Sequence, residues 1–214
     1  MDLTTLQPLL VAQRYRVLPW LAARGISPEV AERWGVGFDP GYSPTLSGRV
    51  TIPVFQPYTG DLLSISGRAA GAEEPKYIHT SYAKQRTLFS QVGGFVGCVA
   101  LVEGQIDCLQ LTEAGVPAAA VIGSSDLSPW QIGLLKRWAD TVIVWADKDG
   151  PGRQAAQRWS NRLKQSGFRV VIGPYVGEST DPDLLARTEP EFVRQIYEAA
   201  ASTSARASSS SYSS

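Results

Sequence analysis

Apolar residues recur at helical spacing over residues 6–23, with Leu9, Leu10, Leu18 and Leu21 among them, and this predicts a helix that Pro19 breaks or restarts. Arg24-Gly25 ends it, because glycine suits the left-handed residue that follows a helix. Ser27-Pro28-Glu29 then opens a short helix with an N-cap, a proline at the first position and an acid in the first turn; it stops near Trp34-Gly35. After a loop rich in Gly, Pro and Ser at 39–48, two β runs at 49–55 and 62–68 flank the turn Tyr58-Thr59-Gly60-Asp61 and read as a hairpin. Pro53 cannot donate to a sheet ladder, so it places the first of these strands on an edge or at a bulge.

From residue 98 the rhythm changes. Strands at 98–102, 118–122, 141–146 and 169–172 alternate with helices at 105–114, 128–138 and 153–164, the second of them capped by Ser128 with Pro129 following. Such alternation predicts a parallel sheet with helices on its faces, hence an α/β fold. A further helix starts at Leu184, and the last, 191–201, carries Phe192, Ile196 and Tyr197 on one side. Residues 202–214 are rich in serine without an apolar period and are expected to be disordered.

Composition narrows the partners. The 214 residues hold 20 Lys and Arg against 20 Asp and Glu, so no global positive field recruits nucleic acid, although a local basic groove stays open. The two cysteines, Cys98 and Cys108, fall in a strand and the helix after it; they form no Cys-x-x-Cys pair and read as core residues of a reduced, cytoplasmic protein without a zinc ribbon. The N-terminus has no basic start followed by an apolar run, and no apolar stretch is long enough to span a bilayer, so no membrane partner is expected.

The chemistry gathers where strands end. Residues 142–146 stop at Asp147-Lys148-Asp149-Gly150-Pro151-Gly152, and in open α/β sheets ligands sit outside the carboxyl ends of strands. Asp147 and Asp149 can present oxygens to one small divalent ion such as Mg²⁺. Asp and Gly are also ordinary turn residues, and on this stretch alone both readings stand. Glu103 ends the strand at 98–102 on the same edge, and were the two strands neighbours their carboxylates would lie within metal-bridging distance. Asp181 and Asp183 follow the fourth strand, where Asp183 would equally serve as a helix cap. Arg68, Lys76, His79, Lys84 and Arg86 accumulate with Tyr77 and Tyr82 between them, a pattern that fits phosphates and stacked bases but also a solvated loop. His79 is the only histidine, so no Ser-His or histidine-metal cluster is expected.

Glu103-Gly104-x-x-Asp107 followed by Asp147-x-Asp149-x-x-Gly152 resembles the Toprim domain of bacterial primases, topoisomerases, OLD-type nucleases and small RNA maturases. Trp20-Leu-Ala-Ala-Arg24-Gly25, Trp34-Gly-Val-Gly37-Phe38, Gly48-Arg49-Val-Thr-Ile-Pro53, Ile65-Ser-Gly67-Arg68, Pro75-Lys76-Tyr77 and Asp181-Pro182-Asp183 are similar, in order, to motifs in the catalytic core of DnaG-type primases from bacteria and phages. The resemblance implies an RNA polymerase core, a nucleotidyltransferase that makes short primers on single-stranded DNA from nucleoside triphosphates by two-metal chemistry, with a replicative helicase as a further partner. It implies metal ligands at Glu103, Asp147, Asp149, Asp181 and Asp183, of which Glu103, Asp147 and Asp149 are catalytic, and two Mg²⁺ or Mn²⁺ ions but no zinc. Asp107 is implied to be structural. Arg24, Arg68, Lys76, Tyr77, His79, Lys84 and Arg86 are implied to hold nucleotide or template. The chain would divide into a basic α+β subdomain (1–95), a Toprim domain (96–177), an acidic loop with the C-terminal helix (178–201) and the serine-rich tail (202–214).

The sequence departs from the family pattern in places. His79 stands where Asn is usual, the loop at 77–89 and the region at 38–48 are short, and the family's zinc-binding and helicase-binding domains are absent from these residues, which points to a phage or other mobile element. Two other functions remain open. A nuclease on the same metal site would hydrolyse phosphodiesters, and an accessory module without catalysis would bind DNA or a helicase.

Overall fold

The computed structural model describes residues 2–94, 96–123 and 126–210. The chain forms two compact units, Met1–Ala83 and a second from Lys84 onward.

The first unit is built on an antiparallel sheet in the order β1-β2-β3-β4, with β1 at Gly37–Phe38, β2 at Val50–Phe55, β3 at Leu62–Arg68 and β4 at Tyr77–His79. The expected hairpin is β2–β3. Its ladder slips at Val54/Phe55, and β1 covers only Val50 and Thr51, so Pro53 lies beyond the end of β1 and beside a bulge. The N-terminal helical stretch restarts at Pro19, as expected, and a 3₁₀ turn lies between its two helices. Helix α1 (Leu3–Ala12) is capped by the Asp2 carboxylate, a 3₁₀ turn covers Arg14–Val17, and α2 (Leu18–Ala22) restarts with Pro19 in its first turn. Proline there costs nothing, because the first amides of a helix have no intrahelical acceptor. Helix α3 (Pro28–Arg33) is capped by Ser27. Leu6, Leu10, Leu46 and Ile65 form the buried centre of this unit.

The second unit contains a sheet in the order β5-β7-β6-β8-β9: β5 at Phe89–Ser90, β6 at Gly97–Val102, β7 at Ala118–Ala120, β8 at Ala139–Val144 and β9 at Arg169–Ile172. Strands β7, β6, β8 and β9 are parallel, as the alternation predicts, and β5 adds an antiparallel edge. That edge strand is why the boundary between units falls at 83/84 rather than at 95/96: residues 89–90 pair with β7. Helices α4 (Gln105–Glu113), α5 (Pro129–Trp138) and α6 (Gly150–Gln165) follow β6, β7 and β8 in the chain. The centre of the sheet is buried, with Val99, Leu101, Val142 and Val144 packing with Leu135, Trp138, Trp159 and Leu163.

Helices α7 (Pro182–Thr188) and α8 (Pro190–Ser210) complete the unit. Helix α8 extends to Ser210, over part of the segment expected to be disordered. Serine is an acceptable interior helix residue when a helix is already nucleated, and Ala199, Ala200 and Ala201 lead into the segment. The last part of the expected tail, 211–214, lies outside the described residues. No described helix is long and apolar enough to cross a membrane.

Candidate functional site

The register of the two central parallel strands builds the site. Leu101 of β6 lies opposite Val144 of β8, so both strands leave the sheet side by side. The Glu103 carboxylate follows directly, and its Oε1 accepts a hydrogen bond from the backbone N–H of Asp147 at 3.2 Å. The neighbour relation that the sequence left conditional therefore exists, and the two acidic motifs meet at the carboxyl edge.

The loop after β8 is tightly specified. Asp149 is the N-cap of α6, its Oδ1 accepting from the Gly152 N–H at 2.6 Å, so the helix begins at Gly150, earlier than the expected residue 153. Glycine at 150 and 152 looks like loop punctuation in sequence, yet Pro151 is compatible with a first helical turn. A Cβ on residue 152 would lie 2.2 Å from the Asp147 carbonyl oxygen, so that close approach demands glycine. Beside it, the Lys148 N–H donates to the Thr180 carbonyl at 2.7 Å, tying this loop to the third acidic segment. There Asp181, not Asp183, caps α7, accepting from the Leu184 N–H at 2.7 Å. Asp183 occupies the first helical turn, where its backbone already belongs to the helix and its charge faces the favourable end of the dipole.

The electrostatics tie these groups together. Burial, followed by the charges of Asp147, Asp183 and Asp181, pushes the Asp107 carboxyl up to about 8, while the Gly104 N–H that donates to its Oδ2 at 3.0 Å works the other way. Glu103 is also raised, by burial and the Asp149 charge, against the Asp147 N–H and Arg158. Tyr175 is raised by burial and then by Asp147, Asp107, Asp181 and Glu103, while its hydroxyl donates to the Ala146 carbonyl at 2.6 Å. One negative field thus spans all three acidic segments. Among the described residues, no group of three or more His, Cys, Asp or Glu side chains is gathered into a cage that would hold a metal. The donor chemistry nevertheless fits a hard divalent cation: the set is carboxylate oxygen throughout, half-buried in part and mutually repelling, which a bound cation would relieve.

Tyr175, Lys148 and Arg158 were missed by sequence reasoning. The Lys148 ammonium lies 5.9 Å from the Tyr175 ring centroid. Tyr175 follows the Gly173-Pro174 turn after β9, where no period exists to mark it, and Arg158 reads as one more exposed helix cation.

The expected basic surface is divided between the units. In the first, the Arg24 guanidinium stacks 3.8 Å from the Trp20 ring centroid, Arg68 lies 5.1 Å from Tyr77, and Tyr77 stacks on His79 with ring planes 1° apart. The β3–β4 register produces this, setting Arg68 opposite Tyr77 and Ser66 opposite His79, whose Nδ1 is 2.9 Å from the Ser66 hydroxyl; this corrects the expectation of no Ser-His contact, since the cross-strand pairing that makes it is invisible in linear sequence. Lys76 is exposed at the start of β4, and its backbone N–H donates to the Glu74 carboxylate. Arg49 is buried and donates to the Pro75 carbonyl at 2.7 Å, which holds the segment that presents Lys76. Lys84 and Arg86 belong to the second unit, in a 3₁₀ turn at Lys84–Arg86. The sequence reading joined them to the others because a linear run of cations carries no sign of a domain boundary.

Comparison with known proteins agrees with this architecture. A Toprim-like family matches residues 100–185. The DNA primase of Thermotoga maritima is 30% identical over 190 residues, 78% of this chain and 33% of that protein, and the DNA primase of Myxococcus xanthus is 29% identical over 247 residues, 88% and 40% respectively. The chain therefore spans a third to two-fifths of these curated relatives. Among solved structures, Aquifex aeolicus primase (its zinc-binding and RNA polymerase domains) superposes with a TM-score of 0.76 at 24% identity, covering 89% of this chain and 57% of that one. A DnaG primase catalytic domain, bound to ssDNA in its own structure, gives 0.75 at 24% identity over 92% of this chain and 77% of that one. The chain is a homologue of the bacterial DNA primases, with a Toprim-like domain at residues 100–185 and the fold of their catalytic cores.

Proposed function

We propose that this chain is a primase core, a nucleotidyltransferase that joins nucleoside triphosphates into short RNA primers on a single-stranded DNA template. The observation that carries the reading is the Glu103 carboxylate bonded to the Asp147 N–H at the carboxyl edge of a parallel sheet, in a homologue of DNA primases; Asp149, Asp181 and Asp183 act electrostatically on the same group of carboxyls. These five carboxylates would hold two Mg²⁺ or Mn²⁺ ions, which would supply Lewis-acid stabilisation of the triphosphate and of the attacking 3′-hydroxyl.

The chain's own groups do the rest. The Asp147 N–H orients Glu103, and the Gly152 N–H fixes one oxygen of Asp149, so both carboxylates are preorganised rather than recruited. Burial and the neighbouring carboxylates push the Asp107 carboxyl up to about 8, which disfavours a further negative charge beside the cluster. On the first unit, Arg24 and Arg68 lie beside aromatic rings and would meet phosphates there, with Tyr77 and His79 as stacking neighbours for a base. Lys76, Lys84 and Arg86 would neutralise further phosphates. The first unit would then serve as the basic subdomain that binds template and nucleotide. A replicative helicase in the cytoplasm would be the physiological partner.

The test incubates the purified chain with single-stranded DNA, labelled ribonucleotides and Mg²⁺. Short, template-dependent products are expected. Incision of the DNA without added nucleotides would replace this reading by the nuclease, and DNA binding with neither synthesis nor incision would replace it by the accessory module.

A further inference from the structure

Trp130, at the second position of α5, exposes 63% of its surface, whereas Trp138, Trp145 and Trp159 of the same unit are buried. A lone exposed aromatic is ordinary on a protein surface. What sets this one apart is its fixed cationic companion. The Arg86 guanidinium lies 5.3 Å from the Trp130 ring centroid, and the Lys84 ammonium reaches over the turn at Gly123, within about 3 Å of where a Cβ would stand.

The turn that carries both cations is clamped onto the start of α5. The Ser128 hydroxyl donates to the Gln85 carbonyl and accepts from the Gln131 N–H, and Gln131, fully buried, donates through Nε2 to the carbonyls of Thr87 at 3.0 Å and Lys84 at 3.3 Å. Its Oε1 accepts from the Ser128 N–H at 2.9 Å. A buried amide is thus committed to holding residues 84–87 against α5, which fixes Arg86 beside the exposed indole. Asp126, two residues before Ser128, faces Arg162 at 3.5 Å. A flat aromatic face in solvent with cations beside it is complementary to a nucleobase and its phosphates, and base–aromatic stacking tolerates any sequence.

We propose that Trp130 is a stacking platform for one base of a single-stranded nucleic acid whose adjoining phosphates are held by Arg86 and Lys84. The proposal rests on the template-directed function above and adds a contact residue to it. The test measures binding of fluorescein-labelled oligo(dT) to the whole chain by anisotropy over a series of salt concentrations. Trp130→Ala weakens binding roughly 5- to 150-fold, the range produced by removing one stacked base. Trp130→Phe restores most of the affinity, and neither variant changes the salt slope, because no charge is removed. Arg86→Ala lowers the magnitude of that slope by roughly 0.7, the value for one phosphate contact on a single strand. Equal affinity of Trp130→Ala and the parent chain would overturn the platform while leaving primer synthesis standing. Absence of oligo(dT) binding by the parent chain itself would overturn both.

Discussion

Asp107 is the residue whose burial has the clearest thermodynamic signature. Its carboxyl is pushed up to about 8 in the folded chain from the ordinary aspartate value of about 4, so between those pH values the folded state keeps a proton that the unfolded state has released. Stability contributed by this group is therefore present below about pH 4 and lost as pH rises toward 8, and the raised Glu103 works in the same direction. Urea unfolding in the presence of a chelator is expected to give a midpoint that falls over that window, with a flatter profile in Asp107→Asn. A midpoint rising with pH through the window in the parent chain would contradict the assignment. At Gly152 the constraint is steric instead. Ala there places a methyl group against the Asp147 carbonyl, and a destabilisation of about 1–3 kcal/mol, read from the same unfolding experiment, is expected. The acidic motifs were legible because charge at the end of an apolar run is conspicuous. Which carboxylate caps α7 was misread: Pro182 at the first helical position marks Asp181 as the cap, the same signal that Ser27-Pro28 and Ser128-Pro129 carry.

Legibility at the level of elements followed length. Strand β6 from Cys98 and strand β8 from Val142 are continuous buried apolar runs, which parallel sheets covered on both faces require. Strands β1, β4 and β5 have two or three residues each, too few to establish a period of two, and they exist because a longer neighbour supplies the ladder. The start of α6 was misplaced for a related reason: Gly150-Pro151-Gly152 has poor helix propensity, and the Asp149 cap together with the close packing of residue 152 overrides it. Caps give an element-scale prediction. Asp181→Ala removes the acceptor of the Leu184 N–H and should cost about 1 kcal/mol in unfolding free energy, whereas Asp181→Asn, whose amide oxygen still caps, should be close to neutral in stability. Equal losses in the two variants would show that charge, not capping, is what Asp181 contributes to the fold.

For the whole molecule, the alternation of strands and helices indicated the α/β architecture, and the ordered motifs indicated the family. The boundary between units was not legible, since Lys84 and Arg86 continue a basic stretch that crosses it. A ligand that binds the folded chain alone raises its unfolding temperature. Millimolar Mg²⁺ or Mn²⁺ is therefore expected to stabilise the parent chain thermally and to leave Asp147→Asn unshifted; an equal shift in both would place any bound ion elsewhere.

Asp149→Asn bears most directly on the central claim. Asparagine is as good an N-cap as aspartate, so the substitution keeps the bond to the Gly152 N–H while removing the negative charge. The measurement is de novo synthesis by this variant beside the parent chain, on single-stranded DNA with labelled ribonucleotides and Mg²⁺, each protein checked by circular dichroism. Template-dependent short products from the parent, reduced by at least about 100-fold in a folded Asp149→Asn, are predicted from the loss of one carboxylate of the metal site. Undiminished synthesis by the folded variant would contradict the account.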